Sequence, residues 1–182
     1  MKDLSMHILD IAQNSIRAKA KFIRIDVAER SDNDQLIITI TDDGPGMSPE
    51  QLKQATDPFY TSRTTRKVGL GLSLLKQNTE MTGGFFKLES TQGKGTKVTA
   101  TFGRSHIDRP IMGDLVGTLL ILFCTPDNPD YLFSCQTPSG TYSLDTREAK
   151  KMLGNIPLSH PDIRKFLKEM IEENLKQIQL SE

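Results

Sequence analysis

The stretch Asp42-Asp43-Gly44-Pro45-Gly46-Met47 carries more information than any other part of this chain. It follows Leu36 to Ile40, an apolar, β-branched run that predicts a strand, and its Gly-Pro-Gly core ends that strand. A carboxylate at such a position can accept a directional hydrogen bond, and glycines let a backbone approach a flat ring closely because they lack a Cβ. Taken alone, the stretch is more typical of an acidic turn.

Other blocks stand around this stretch. Upstream, Asn14 closes Asp10-Ile11-Ala12-Gln13-Asn14, on a segment from Leu4 to Ala18 whose apolar spacing predicts a helix. Downstream, three more blocks follow in order: Asp57-Pro58-Phe59-Tyr60-Thr61-Ser62-Arg63, Val68-Gly69-Leu70-Gly71-Leu72 and Gly93-Lys94-Gly95-Thr96. A helix predicted from Leu70 to Met81 begins in the second of these blocks, so its free N–H groups and positive dipole end are suited to phosphate.

Together these blocks resemble the ATP-binding domain of the GHKL family, which gyrase, the large heat-shock chaperones, histidine kinases and mismatch-repair ATPases share. The phenylalanine-containing block and the Gly-Leu-Gly-Leu-Ser helix start are most similar to the histidine-kinase branch. The resemblance covers roughly Ser5 to Phe102. It implies an α+β fold, the two-layer α/β sandwich known as the Bergerat fold, with a mixed, mostly antiparallel sheet and helices on one face.

The same resemblance implies ATP and Mg²⁺ as cofactors and assigns residues to them. Asp42 is implied as the adenine-binding carboxylate, Asn14 as the Mg²⁺ ligand, and Thr96 as a support for adenine recognition from a neighbouring strand. Arg17, one turn after Asn14, matches a position that is basic in histidine kinases, so it is either a phosphate contact or a surface charge. The implied nucleotide-binding residues are Asn14, Arg17, Asp42, Gly44, Gly46, Met47, Thr61, Arg63, Lys67, Gly69, Leu70, Gly71, Leu72 and Thr96.

The polar, basic segment from Thr61 to Val68 predicts a loop and matches the ATP lid of the family. It departs from the family pattern at Lys67, where a glycine is expected. This difference bears on the conformation of the lid rather than on the pocket.

A general base separates the possible functions. Hydrolysis, or transfer to a Ser or Thr, requires a proton to be removed from the attacking oxygen. In hydrolysing and serine-kinase members of the family a Glu stands four residues before the metal Asn, and here that position is Asp10. Asp10 is therefore the candidate catalytic residue, with a helix-surface carboxylate as the alternative.

A conventional histidine kinase also needs a phospho-acceptor His on a helical hairpin that precedes the ATP domain. The predicted metal helix begins near residue 4, and the only histidines are His7, His106 and His160, none of which lies in such a hairpin. Autokinase activity of the usual two-component kind is therefore not expected.

Composition limits the other functions. The chain has 182 residues and equal numbers of basic and acidic residues, 23 each, which argues against a general nucleic-acid binder. Its two Cys form no metal-binding spacing, and its longest apolar run, Leu119 to Cys124, is too short to span a bilayer. We expect a cytoplasmic protein with reduced thiols and no membrane partner.

The sequence divides at about residue 104, with an ATP-binding domain in 1–104 and a C-terminal extension in 105–182. In the extension, Leu115 to Phe123 and Tyr131 to Cys135 predict two strands joined by a turn at Pro126 to Asp130. Asp145 or Thr146 is expected to cap a short helix that stops at Gly154, and Ser159 to begin the last helix.

The sequence favours a stand-alone Mg-ATP-binding regulator, a Ser/Thr kinase or ATPase that acts on a partner protein. Two alternatives stay open: a non-catalytic, ATP-gated protein-binding module, and the catalytic subunit of a split histidine kinase. A homodimer is compatible with either.

Overall fold

The computed structural model describes residues 3–55 and 71–181. Its elements in chain order are α1 (Leu4–Arg17), β1 (Phe22–Arg30), β2 (Gln35–Asp42), α2 (Pro49–Gln54), α3 (Gly71–Met81), β3 (Phe85–Thr91), β4 (Gly95–Gly103), α4 (Leu115–Cys124), β5 (Asp130–Thr137), β6 (Gly140–Asp145), α5 (Thr146–Leu153) and α6 (Pro161–Gln177). No helix in these residues is long and apolar enough to cross a membrane.

The strands form one six-stranded sheet in the order β3-β4-β2-β1-β5-β6. All neighbours are antiparallel except β1 and β5, which run parallel. Helix α1 packs between α3 and α4, and α4 also packs against α6, so the four helices lie side by side in the order α3-α1-α4-α6. The expected α+β fold, with a mixed and mostly antiparallel sheet, is confirmed.

Period-two alternation decides which side of the sheet the helices cover. Alternate residues of the strands are buried, and the register places Ile40 opposite Ile25 and Val98, and Ile25 opposite Phe133. These side chains form one apolar row across four strands beneath the helices. The other face carries exposed residues such as Arg24, so the molecule has two layers.

The predicted strand from Leu115 to Phe123 is wrong, because these residues lie in helix α4. Asp114 caps this helix by accepting a hydrogen bond from the amide of Gly117 at 2.8 Å. Most of α4 is buried, since it packs against α1 on one flank and α6 on the other. An apolar run this uniform has no period that separates a buried helix from a buried strand.

The predicted turn at Pro126 to Asp130 therefore joins a helix to a strand, and the hairpin lies further on. Strand β5 pairs with β1 on one side and with β6 on the other, with a tight turn between Thr137 and Gly140. Cys124 and Cys135 are both free and buried, as expected.

The last two helices, α5 and α6, begin close to where the sequence predicts. Asp145 caps α5 and Gly154 ends it, as predicted, whereas α6 is capped by His160 instead of Ser159. Strands β5 and β6 continue the same sheet as β1 to β4. The division of the chain into two domains at residue 104 stays a prediction.

Candidate functional site

Asp42 lies on the helix-covered side of the sheet, where β2 ends. The alternation that buries Leu36, Ile38 and Ile40 places the next side chain of that row, Asp42, at the edge of the core. Its Oδ1 accepts hydrogen bonds from the amides of Gly44 at 2.9 Å and Thr96 at 3.2 Å. Its Oδ2 accepts one from the hydroxyl of Ser15 at 2.5 Å. An ionised carboxylate offers about four acceptor positions, so one stays available on Oδ2.

A small cavity opens beside this carboxylate, between α1, α3 and the sheet. Its volume is about 70 Å³, and its lining residues are Ile11, Asn14, Ser15, Ala18, Ile40, Asp42, Met47, Leu72, Thr96 and Val98. Small-molecule sites usually have roughly 300–1,000 Å³, so a whole nucleotide would extend beyond this cavity. A cavity with an apolar wall and a carboxylate at its edge suits a flat, partly polar heterocyclic base.

Hydroxyl groups continue the polar row across β3 and β4. The hydroxyls of Ser90 and Thr96 are 2.9 Å apart, and Ser90 also donates to the carbonyl of Gly95 at 3.0 Å. The same Ser90 oxygen accepts a hydrogen bond from the amide of Met47 at 2.8 Å. This network fixes the segment after Asp42 against the β3–β4 turn, and it holds Thr96 beside the carboxylate.

The neighbours of Asp42 have structural tasks. Asp43 accepts hydrogen bonds from the amides of Lys21 and Phe22 at 2.7 and 2.9 Å. Gly46 has a φ of +68°, and a Cβ there would overlap the carbonyl of Thr91. The backbone itself therefore requires glycine at this position.

Helix α1 brings together the residues expected to bind metal and phosphate. Asp10, Asn14 and Arg17 follow each other at intervals of four and three, so they lie on one face of the helix. The Arg17 guanidinium donates to the Asn14 side-chain oxygen at 2.6 Å and to that of Gln13 at 3.3 Å. The oxygen that Asn14 would offer to a metal thus already has a cationic partner.

The start of α3 touches the same face of α1. A Cβ at Gly71 would overlap the carboxylate of Asp10, so the two residues are in direct contact. Leu72, the next residue of α3, lines the cavity beside Asp42. The helix start expected to bind phosphate is therefore adjacent to the candidate base. Thr61, Arg63, Lys67, Gly69 and Leu70, and with them the expected lid, lie outside the described residues.

His7 anchors the contact between α1 and α3 one turn before Asp10. Its ring is 1% exposed, and its Nε2 lies 2.9 Å from the side-chain nitrogen of Asn78. Burial lowers the pKa of His7 from 6.5 to about 4, and the carboxylate of Asp3 opposes this shift. His7 is therefore neutral near pH 7 and holds the two helices together.

Sequence reasoning missed Ser15 and Ser90 as site residues. Ser15 is a hydroxyl at a core position of α1, directly after Asn14, and Ser90 continues the row of Phe86 and Leu88 on β3. A polar side chain at a position that the pattern assigns to the core was the available signal, since such a group needs a partner when buried.

Sensor kinases are among the known proteins that this chain resembles. It is 36% identical over 97 residues to the sensor histidine kinase ZraS of Salmonella typhimurium, covering 53% of this chain and 21% of that protein. It is 33% identical over 94 residues to sporulation kinase D of Bacillus subtilis, covering 52% of this chain and 18% of that protein. The chain thus spans about a fifth of the length of these relatives.

The fold also matches a solved structure. The N-terminal domain of a DNA repair protein superposes with a TM-score of 0.54 at 18% identity, covering 80% of this chain and 52% of that one. Such low identity shows the fold alone. Residues 2–106 match the model of the histidine kinase-, DNA gyrase B- and HSP90-like ATPases, and the chain belongs to this family.

Proposed function

We propose that this protein is a Mg-ATP-binding regulator that acts on a partner protein, either by phosphorylating a Ser or Thr or by hydrolysing ATP. The domain is of the ATPase type found in histidine kinases. What the proposal adds is a chemical role for the face of α1 that carries Asp10, Asn14 and Arg17.

The adenine end of the proposed site is the cavity beside Asp42. The free acceptor position on Oδ2 can take the exocyclic amine of adenine, while Ile40, Val98 and Leu72 provide apolar contacts to the ring. Guanine presents a carbonyl at the same edge, which would face a carboxylate. ATP should therefore bind more tightly than GTP.

The phosphate end lies along α1. Asn14 is a neutral oxygen ligand, suited to a Mg²⁺ ion that keeps several waters and also contacts phosphate oxygens. If Asn14 binds the metal, Arg17 keeps only its longer hydrogen bond to Gln13, and its guanidinium can then pair with phosphate. The resident metal would supply charge neutralisation, and the protein would supply its position.

The observation that carries the catalytic proposal is the contact between Asp10 and Gly71. It places a carboxylate one helical turn from Asn14 and against the start of α3, where phosphate is expected. A carboxylate there can accept the proton of an attacking hydroxyl or water.

The test compares three α1 variants. Asp10→Asn keeps the shape but cannot accept the proton, so turnover should fall by about 10²–10⁴ while ATP affinity changes little. Asp10→Glu retains the base and should keep measurable turnover. Asn14→Ala should reduce affinity and turnover together. Calorimetry and phosphate release measure these quantities, with the partner protein present if basal turnover is slow.

Two results would redirect the proposal. If Asp10→Asn turns over ATP like the parent, Asp10 is a surface residue and the ATP-gated binding module becomes the better account. If a separate histidine-containing chain accepts the phosphoryl group, the protein is the catalytic subunit of a split histidine kinase. No binding of ATP at millimolar concentration would overturn the nucleotide site itself.

A further inference from the structure

Three polar side chains lie in one row across the end of the sheet, on its helix-covered side. The strand register places Thr96 of β4 opposite Asp42 of β2 on one side and opposite Ser90 of β3 on the other. Asp42 and Thr96 line the cavity, whereas Ser90 lies beyond Thr96. Any effect of Ser90 on a ligand in the cavity must therefore pass through the residues that Ser90 contacts.

The contacts of Ser90 fix the direction of each hydrogen bond that it makes. A serine hydroxyl has one proton to donate and two lone pairs that accept. The amide of Met47, at 2.8 Å, can only donate, so it occupies one lone pair of the Ser90 oxygen. The carbonyl of Gly95, at 3.0 Å, can only accept, so it takes the Ser90 proton. One lone pair remains for the hydroxyl of Thr96, which lies 2.9 Å away.

The Thr96 hydroxyl therefore donates its proton to Ser90. The opposite assignment would leave the oxygens of Ser90 and Gly95 facing each other at 3.0 Å with no proton between them. Among the described residues, the Thr96 hydroxyl has no other hydrogen-bond partner. Its remaining lone pair is available, so Thr96 offers a ligand an acceptor and no donor.

A fixed acceptor beside Asp42 has a consequence for purine bases. The ionised carboxylate of Asp42 also only accepts, and the amides of Gly44 and Met47 already bond to Asp42 and Ser90. A 6-aminopurine such as adenine meets the carboxylate with an N–H. A 6-oxopurine can give its N1–H to the carboxylate only if its neighbouring carbonyl oxygen finds a donor. The hydroxyl of Thr96, next to Asp42 in the row, has no proton to give it.

We propose that Ser90 is a specificity-determining residue of the nucleotide site, and that it selects against 6-oxopurine nucleotides by holding the Thr96 proton away from the base. This proposal rests on the proposed function, because it requires a purine nucleotide beside Asp42. Ser90 acts as a positioning residue, through the hydroxyl of Thr96. Without the Ser90 hydroxyl, Thr96 can turn its proton towards the carbonyl of a 6-oxopurine, so the barrier to the wrong base is removed.

Selectivity between two nucleotides that differ only at this edge of the base tests the proposal. ATP carries an amine and a bare N1, whereas inosine triphosphate carries a carbonyl and an N1–H. In Ser90→Ala the preference for ATP, measured by calorimetry as the ratio of the two Kd values, should fall about fivefold to tenfold, the value of one net hydrogen bond. Ser90→Thr retains the hydroxyl and should keep the parent ratio. Ser143→Ala, at an exposed serine of the other edge strand, β6, is the matched control.

The ratio separates this role from a purely structural one. Ser90→Ala also removes the acceptor of the Met47 amide, and a looser segment would weaken both nucleotides by the same factor. If the two Kd values change together, the proposal is wrong. In a Thr96→Val background there is no hydroxyl to turn, so Ser90→Ala should leave the ratio unchanged. A further fall of the ratio in that background would show that Ser90 acts by another route, which overturns the proposal.

Neutron diffraction reads the proton direction without any nucleotide. In a deuterated crystal of the whole protein, the deuteron of Thr96 should lie between its Oγ1 and the Oγ of Ser90. A Ser90 deuteron directed at Thr96 would overturn the proposal. If the parent does not bind ATP, the proposed function fails and the selectivity role fails with it. If the parent binds ATP and Ser90→Ala keeps the parent ratio, only the role of Ser90 fails.

Discussion

The helix-covered side of the sheet holds a carboxylate at each end, and the two are stabilised in opposite ways. At one end, Glu29 of β1 has a side chain that is 1% exposed, and its Oε2 pairs with the guanidinium of Arg104 at 3.3 Å. Its Oε1 accepts hydrogen bonds from the amide of Ser181, at 2.8 Å, and from the Ser181 hydroxyl. This charge is neutralised by a cation and connects three distant segments of the chain.

At the other end, Asp42 has neutral donors. Two backbone amides and the hydroxyl of Ser15 hold it, and no Lys or Arg within the described residues forms an ion pair with it. A cavity lies beside it. A carboxylate that keeps its charge and one free acceptor position next to a cavity can bind a ligand, whereas one neutralised by an ion pair contributes to stability. The comparison therefore favours the proposed ligand site at one end of the sheet and gives the carboxylate at the other end a structural task.

The largest effect on stability is expected at Glu29. Glu29→Gln leaves the guanidinium of Arg104 without its counter-charge, and the free energy of unfolding should fall by about 2–3 kcal/mol. This value is below the usual cost of breaking a buried pair, because the Arg104 side chain is 34% exposed. Urea unfolding measures it, with Asp32→Asn in an exposed turn as a control that should change little. ATP affinity should be unaffected, and a loss of affinity would contradict a purely structural role.

His7 extends the comparison to a buried group without an ion pair. Its pKa is about 4 in the folded protein and near 6.5 in the unfolded chain, so the unfolded chain binds more protons between these values. The stability contribution of the neutral ring is complete above pH 6.5 and is lost as pH falls towards 4. The loss should approach about 3 kcal/mol at the lowest pH. Unfolding curves of the parent and His7→Gln between pH 5 and 7 measure it, and equal pH dependence would contradict it.

Sequence and structure agree best where local rules act. Ser48 caps α2 with a reciprocal hydrogen bond from Gln51, as the Ser-Pro-Glu-Gln pattern predicts, and Gly83 takes a positive φ at the end of α3. The strands β1 to β4 follow the period-two alternation of their sequences. Asp42 and Thr96 come together because β2 and β4 are neighbouring antiparallel strands, and their register places the two residues opposite each other.

The features that the sequence did not predict depend on contacts between residues that are far apart in the chain. Leu115 to Cys124 forms a helix because α1 and α6 cover it on both flanks, which its own composition does not encode. The parallel pairing of β5 with β1 joins segments about a hundred residues apart, and Glu29 finds Ser181 only once α6 is in place. The role of Ser15 likewise depends on the position of α1 over the end of β2.

The effect at Asp42 should appear in binding and hardly in stability. Asp42→Asn replaces the free acceptor position with an amide that can turn its donor towards the ligand, so ATP affinity should fall about tenfold to a hundredfold. The preference for ATP over GTP should shrink in parallel. Calorimetry with both nucleotides measures this. A variant that binds ATP like the parent but unfolds more easily would make Asp42 the counterpart of Glu29 and remove the difference between the two ends.

The smallest expected effect is at Ser15. It tests whether the Ser15 hydroxyl acts on the nucleotide by orienting the carboxylate of Asp42. Ser15→Ala removes the donor to Oδ2 but leaves both backbone amides on Oδ1, so Asp42 keeps its place and loses one of its fixed directions. ATP affinity should fall about threefold to tenfold, the value of one net hydrogen bond, and stability by less than about 1 kcal/mol. Ser31→Ala, in the exposed β1–β2 turn, is the matched control.

A double variant tests whether Ser15 acts through Asp42. Because the Ser15 hydroxyl and the Asp42 charge act on the same ligand group, Ser15→Ala in the Asp42→Asn background should lower ATP affinity little further, whereas independent effects would multiply. A multiplied loss in the double variant would mean that Ser15 contacts the nucleotide by itself instead of orienting Asp42.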